Sequence, residues 1–526
     1  MVNWTIVEQR WEKMDRKIHS GIMLTLLLIG MLTLAFNIQG ARADSTWTET
    51  IYIRADGSIE PDTAPISTVD NTTYVLTGNV VGDFPDYTSA IIVERTNVTI
   101  DGSGYTLQRV SGIYTDGLSL YGVNMTIKNI KIKGFYDGIY VNSTSHTINI
   151  FDNIIMESAN WGIDLSSNNT VLGNNIIDSH IGIAAGSNNV ITGNNIAASN
   201  VYGILAGSSN TIYGNNITAN DDAGIHLYSC SDNAISGNNI RESYHGIELS
   251  HCSNNAISGN NIAANRGFGI YTSVSFDNTI WGNNITRNRS GIGVSYSSNN
   301  TIFGNNVTRS ASAGIIITSS SLTNIVYGNN IINNTYGSRF DGLTTCPSNN
   351  ILYHNNFINN TNQVYFRVGG ENTWDDGYPS GGNHWSDYED RYPDATEIDN
   401  SGIWDTPYVI DGNNQDNYPL MEPWTPTPPI PTTIDELKTE IEELGSEGQI
   451  DNRGIVKSLL AKLNVAQKLI DKGKIEEAKS ILEEDFIPQV QNLTDIHITK
   501  EAAELLIESA EYIISNTKCM QARVCV

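Results

Sequence analysis

Positive charge is scarce in this chain. Against 57 Asp and Glu stand only 30 Lys and Arg, a formal net charge of −27 over 526 residues. A phosphate backbone is held by clustered Lys and Arg that displace its counterions, so nucleic-acid binding is excluded. The acidity suits a soluble surface kept dispersed by self-repulsion. Long apolar runs are missing beyond Phe36, which leaves no span for a bilayer in the mature chain. Proline is modest at 14 and cysteines number 5. The Leu-x-x-Leu-x-Leu frame of a leucine-rich horseshoe is absent as well. At this length a single compact core is not expected, and an elongated repeat array with appendages is.

The first residues do carry an apolar run, from Ile22 to Phe36, behind Arg10, Lys13, Arg16 and Lys17 and ahead of Ala41-Arg42-Ala43. That order reads as a secretory signal spanning residues 1–43, cut after Ala43, which places the mature protein outside the cytoplasm, secreted or at the cell surface.

What the chain has in abundance is Asn, Ser, Thr, Ile and 46 Gly. Gly-Asn-Asn recurs from Gly173, Gly193, Gly214, Gly237, Gly259, Gly282, Gly304 and Gly328, with divergent copies at Asp152-Asn153 and Asn355-Asn356. Neighbouring copies are 20 to 26 residues apart, and a Gly-Ile landmark from Gly138 to Gly314 keeps the same beat. Each unit reads as short strands broken by turns. Residues two apart share a face, so Ile163 and Leu165 point inward and Asp164 outward. Stacked asparagines bond at the strand spacing of about 4.8 Å. The pattern predicts an all-β right-handed parallel β-helix of about ten or more coils. Residues 44–137 form the cap and first coils, 138–360 the regular repeats, and 361–422, rich in Trp, Tyr, Asp and Gly, the closing segment.

Five prolines between Pro423 and Pro431 mark residues 423–432 as an extended spacer. In 433–517 the periodicity of Ile455, Leu459, Leu463 and Ile470, and of Ala502, Leu506 and Ala510, predicts a small helical bundle, read as a docking module for a protein partner. No structure is assigned to the tail, 518–526.

Several residues are candidates for function. The position before Gly-Asn-Asn faces outward and gives Trp281, Phe303, Tyr327 and Tyr353 on consecutive coils, with Tyr213 lower down, an aromatic ladder suited to sugar rings. Cys230 and Cys252 hold equivalent places one coil apart, within reach of a disulfide or as a plain stacked pair. Asp394, Asp399, Asn400 and Asp405 form an oxygen-rich cluster that suits calcium, although without the spacing of an EF-hand. A hydrolase needs two carboxylates about 5 to 9.5 Å apart. Asp164 and Glu248 share a position but stand four coils, about 19 Å, apart, while Asp221, Asp222 and Glu242 are out of register. Arg287 and Arg309 form a stacked basic pair, the feature a lyase would use. About a dozen Asn-x-Ser/Thr sequons, including Asn216, Asn284 and Asn306, permit glycosylation.

The Gly-Asn-Asn-Ile and Asn-Asn-Thr-Ile coils from about 138 to 358 resemble the NosD-like family of periplasmic and surface β-helix proteins, within the pectin-lyase-like group. The block Asn383-His384-Trp385-Ser386-Asp387-Tyr388, with Asp405 to Asp411 and Asp416 to Leu420, is similar to the closing segment of archaeal surface members. Residues 449–516 resemble the FIMAH-type helical domain. The resemblance implies the β-helix fold and, by analogy with NosD, copper handling. Copper would draw on His226, Cys230, His245, His251 and Cys252, which extended strands do not bring together. The expectation is a secreted or cell-surface scaffold, carbohydrate-binding or adhesive, without catalysis; the alternatives are a polysaccharide lyase or hydrolase and a copper-handling protein.

Overall fold

The computed structural model describes residues 47–342, 346–367, 370–425 and 433–515. The expected signal sequence, residues 426–432 of the spacer and the tail from 518 lie outside the described residues. The chain divides into two compact units between Glu422 and Pro423.

The first unit is a parallel β-helix. Three sheets of 15, 14 and 14 strands run its length. A coil supplies one strand to each, as Phe268–Ser273 does to sheet 1, Thr279–Trp281 to sheet 2 and Asn284–Thr286 to sheet 3. Residues at the same place in the repeat pair directly, for example Ile247 with Ile270 and Ile270 with Ile292. Coils are present within residues 44–137, where Asp116–Leu120, Met125–Lys128 and Lys131–Lys133 make a complete one. Antiparallel pairs, Tyr52 with Glu60 and Ile66 with Leu76, lie at the start of the stack.

One apolar column per sheet fills the interior. Ile270, Ile280 and Ile285 of a single coil are fully buried, and the column is continuous from Ile51 to Tyr408. The two glycine landmarks serve different ends. Gly282, ahead of Asn-Asn, has φ +61°, a backbone state that costs other residues about 1 kcal/mol. Gly269, in the Gly-Ile landmark, must be small. A Cβ there would stand 2.5 Å from Ile285 Cγ2 and 2.9 Å from the Gly291 carbonyl.

The two asparagines also differ. The first is buried and forms an internal ladder in which each Nδ2 donates to Oδ1 of the next coil. It runs Asn153 to Asn174 (3.0 Å), on through Asn283 to Asn305 (2.9 Å), and up to Asn355 to Asn383 (2.9 Å). The second forms an outer ladder, as where Asn284 Nδ2 donates to Asn261 Oδ1 at 3.0 Å. The sequon residues Asn216, Asn284 and Asn306 all lie in this outer ladder.

At the C-terminal end rings replace isoleucines. Phe357 stacks on Trp385 at 4.5 Å and Trp385 on Tyr408 at 4.2 Å. The internal ladder ends on Asp416, whose Oδ2 accepts the Asn383 N–H at 2.7 Å and the Trp385 Nε1–H at 2.8 Å.

The second unit holds the helices Ile434–Ser446 and Arg453–Asp471, a third rod from Ile475 to Leu493 with a π-helical turn at Ile481–Phe486, and Lys500–Ser515. Thr433 caps the first through a capping box with Glu436. Leu459, Leu463, Ala502, Leu506 and Ala510 are buried in its core, as their spacing predicts, while Ile455 and Ile470 pack at its margin.

Candidate functional site on sheet 1

Titratable groups are not spread evenly over the β-helix. Between Trp161 and Ile358, every Asp, Glu and His held in a strand belongs to sheet 1. Over the same span, sheets 2 and 3 present Asn, Ser, Thr, aliphatic and aromatic side chains, with Arg241 the single ionised exception.

The outward column of sheet 1 is set two residues after the Gly-Ile glycine. Pairing runs Tyr140 with Asp164, Leu205 with His226, His226 with Glu248, and Glu248 with Tyr271. A second set lies just before the glycine, including Asp116, Asp137, Trp161, His245 and Phe268.

Two clusters result. In the lower one, Asp116 Oδ1 accepts the Asp137 N–H at 3.3 Å, and Asp137 Oδ1 accepts from Trp161 N and Asn160 Nδ2, both at 3.0 Å. Burial, then the neighbouring carboxylates, push Asp116 and Asp164 up to about 7. Burial likewise raises Asp137. Asp116 and Asp164 therefore exchange protons near neutral pH.

In the upper cluster His226 is 7% exposed, and its Nδ1 stands 3.6 Å from Glu248 Oε2 without a hydrogen-bond partner. The Tyr202 ring covers it at 4.4 Å, tilted by only 5°. His245 Nδ1 accepts the Phe268 N–H at 3.0 Å, and the rings of His245, Phe268 and Tyr271 lie 4.8 to 5.6 Å apart. Burial and the Glu248 charge raise Asp222, against the pull of the two histidines. Burial works to raise Glu248 also, but the His226 imidazole, with the charge on His245, outweighs it and holds Glu248 below its usual range.

The predicted aromatic ladder is present on sheet 2. Trp281, Phe303, Tyr327 and Tyr353 stack within 7° of parallel, at centroid distances of 6.1, 5.0 and 5.3 Å. Their faces cover one another, and what they present outward is edges. Tyr213 stands apart, separated from Trp281 by Ser236 and Ser258.

Cys230 and Cys252 are free thiols with Sγ atoms 3.4 Å apart, a stacked pair and not the bridge; a disulfide bond is about 2.05 Å long. The calcium candidates Asp394, Asp399, Asn400 and Asp405 are all exposed. Among the described residues no group of three or more His, Cys, Asp or Glu converges to hold a metal. Asp405 instead accepts from Thr396 N at 3.1 Å and Thr396 Oγ1 at 2.6 Å. The imidazole and thiol donors considered for copper do not converge either. His245 Nδ1 is spent on Phe268, and Asn233 Nδ2 donates to Cys230 Sγ. These residues do not fit a copper centre. Arg287 and Arg309 lie in the turn behind sheet 3 with φ near +55°, in strained left-handed backbone.

Sequence reasoning missed Asp116 and Asp137 because the lower coils lack Gly-Asn-Asn. The signal was the acid ahead of the glycine in Asp116-Gly117-Leu118 and Asp137-Gly138-Ile139.

The fold and its repeat define a right-handed parallel β-helix protein. Residues 66–217 and 137–271 match the family model of the right handed beta helix region, 220–390 that of the periplasmic copper-binding protein NosD, and 434–515 that of the FIMAH domain. No curated protein matches the chain. Solved structures with a similar fold include the Dettilon tailspike protein, at 18% identity over 49% of this chain and 60% of that one, with a TM-score of 0.42. The periplasmic alginate epimerase AlgG matches at 14% identity over 58% and 80%, TM-score 0.38. A mutant tailspike of E. coli bacteriophage HK620 with a bound hexasaccharide matches at 10% identity over 63% and 70%, TM-score 0.37. The chain thus spans less than two thirds of the first tailspike.

Among the described residues no helix is long and apolar enough to cross a membrane.

Proposed function

We propose that this is a secreted or cell-surface glycan-binding protein whose ligand lies across the outward face of sheet 1. One observation carries the reading: between Trp161 and Ile358 the carboxylates and imidazoles held in strands all belong to sheet 1, where aromatic rings lie beside them, while the strands of the other two sheets carry one ionised side chain, Arg241. Sugars are bound by this mixture, with hydroxyls donating to carboxylates and apolar ring faces lying on aromatic ones. Tyr140, Trp161, Tyr202 and Tyr271 supply rings beside the acids. The sheet 2 ladder adds a secondary contact at Trp281, whose lower neighbour Ser258 is small, and at Tyr213. The helical unit docks a protein partner, the signal sequence is removed after Ala43, and sequons in the outer asparagine ladder carry glycans.

The full chain would be screened on an array of neutral and acidic polysaccharides, and positives measured by calorimetry. Tyr202→Ala and Tyr271→Ala should each weaken binding about tenfold or more, which is about 1.4 kcal/mol. Phe303→Ala, within the ladder, should leave affinity unchanged. A chain that binds none of the polysaccharides defeats the reading.

A further inference from the structure

Along one ridge of the β-helix the charge runs against the trend of the chain. Between Leu249 and Gly370 the sequence holds six arginines and no lysine, against two aspartates and no glutamate, a net charge of +4 within a chain of −27. Asp341 is taken by Arg339, 2.7 Å away, and Asp277 lies in the turn between sheets 1 and 2. Four of the arginines, Arg266, Arg287, Arg289 and Arg309, fall in three consecutive turns between sheet 3 and sheet 1, and all four are exposed.

The repeat sets them side by side. The Arg287 N–H donates to the Thr308 carbonyl at 3.0 Å, so Arg309, the next residue, stands one coil above Arg287. The Arg289 N–H donates to the Asn265 carbonyl at 3.1 Å, so Arg266 stands one coil below Arg289. At about 4.8 Å per coil the four backbone positions span about 10 Å along the axis.

The fold does not need arginine there. Arg287 and Arg309 adopt φ of +56° and +55°, and the same place one and two coils above Arg309 is held by Asn333 and Asn359, a residue type that tolerates this backbone better. Nor do the guanidinium groups tie the coils together. Arg266 donates to the Asp221 carbonyl at 3.0 Å, with the Asp221 carboxylate 3.9 Å away. Among the described residues the side chains of Arg287, Arg289 and Arg309 have no ion-pair or hydrogen-bond partner.

We propose that this ridge binds an acidic polysaccharide, whose sulfate or carboxylate groups are received by Arg287, Arg289 and Arg309. The site is separate from the outward face of sheet 1 and does not depend on that reading. A guanidinium fork takes an oxyanion through two parallel N–H bonds, which an ammonium group does not. Repulsion by the rest of the chain is largely screened at the ridge. The screening length is about 10 Å at 0.1 M salt, and Glu242, the nearest acid in the turn column of Arg287, is two coils, about 10 Å, below it.

The neighbouring surface selects the class of partner. On the sheet 3 side the arginines are bordered by Asn284, Thr286, Asn306 and Thr308, with Thr308 Oγ1 donating to Thr286 Oγ1 at 3.0 Å. Amides and hydroxyls in rows match the hydroxyls of a sugar chain. A protein interface needs an apolar core with aromatic anchors, and a membrane surface needs apolar side chains that insert. This border offers neither.

The test uses the full chain, made without N-linked glycans so that Asn284 and Asn306 are bare, and measures binding by calorimetry to a sulfated galactan, a polyuronate and a neutral glucan. At least one acidic polymer should bind, and the stronger of the two identifies the anionic group. Binding should fade between about 0.1 and 1 M salt, as the screening length falls from about 10 to about 3 Å. The triple variant Arg287→Asn, Arg289→Gln, Arg309→Asn should lose at least about tenfold in affinity for that polymer with an unchanged Tm. Tyr202→Ala and Tyr271→Ala should leave the same affinity as it was. Binding of neither acidic polymer overturns the inference and leaves the sheet 1 reading to its own variants. An affinity unchanged in the triple variant overturns the ridge as the site. Equal affinity for anionic phospholipid vesicles or duplex DNA overturns the choice of a polysaccharide.

Discussion

Trp385 donates its indole N–H to Asp416 Oδ2 at 2.8 Å, and the same oxygen receives the backbone N–H of Asn383 at 2.7 Å. From Asn153 up to Asn355 that N–H is received by the next asparagine of the ladder; for Asn153 it is Asn174 and for Asn355 it is Asn383, both at 3.0 Å. Asp416 therefore takes the place of an asparagine in a coil that does not exist.

Replacing it with alanine strands buried donors on Trp385, Asn383 and Tyr418. Asp416→Ala should cost roughly 2 to 4 kcal/mol, seen in chemical denaturation followed by tryptophan fluorescence. Trp385→Phe keeps the ring stack on Tyr408 and loses only one donor, so about 1 kcal/mol is expected. An Asp416→Ala protein with an unshifted midpoint would contradict the role of the ladder's end.

Stability should depend on pH with an unusual sign. Burial raises Asp416, Asp116 and Asp164 to about 7, whereas an unfolded aspartate titrates near about 3.9. Between these values the folded state holds more protons than the unfolded one, so stability falls as pH rises from about 4 to about 7. Above that range the effect levels off. Denaturation midpoints at pH 5, 6, 7 and 8 should decline and then flatten, and Asp164→Asn should shallow the slope. A midpoint that climbs over the same interval would show that these carboxyls are not raised.

The paired asparagines should respond differently. Asn283 Nδ2 donates to Ile257 O, Trp281 O and Asn305 Oδ1, all out of contact with solvent or nearly so. Asn284 is exposed and bonds only along the outer ladder. Asn283→Ala should cost roughly 2 to 3 kcal/mol and Asn284→Ala at most about 0.5 kcal/mol, compared by thermal melts. Equal losses would mean the motif is not divided into an inner and an outer half.

The two glycine columns permit a parallel comparison. Gly269→Ala drives a methyl into Ile285 and the Gly291 carbonyl, an overpacking worth roughly 2 to 3 kcal/mol. Gly282→Ala meets Gly259 N only at 3.9 Å and suffers only its positive φ, about 1 kcal/mol. Hydrogen exchange would place the first loss in coils on both sides of the substitution and confine the second to one turn.

The fold was legible because Ile, Gly and Asn repeat in phase, and a parallel stack turns phase directly into contact. The site was not. Asp164 and Glu248 were recognised as sharing a column, but the residues between them, His226 above all, are what give the column its chemistry. Asp222 precedes the strand in sequence and is out of register with Glu248, which pairs with His226; what the structure adds is that its carbonyl accepts the N–H groups of Tyr244 and His245 in the next coil. The aromatic ladder illustrates the converse. Its column was read correctly, yet spacing alone does not say whether rings meet solvent with a face or with an edge.

The closing segment has a consequence for assembly. A coil with an open upper edge offers unpaired strands and an unfinished amide ladder, a template on which another copy could continue. Asp416 accepts but has no amide to pass on, and the Trp385–Tyr408 stack fills the cross-section above Phe357. The carboxylate acts as a stop codon written in hydrogen bonds, giving a filament-like architecture a fixed length.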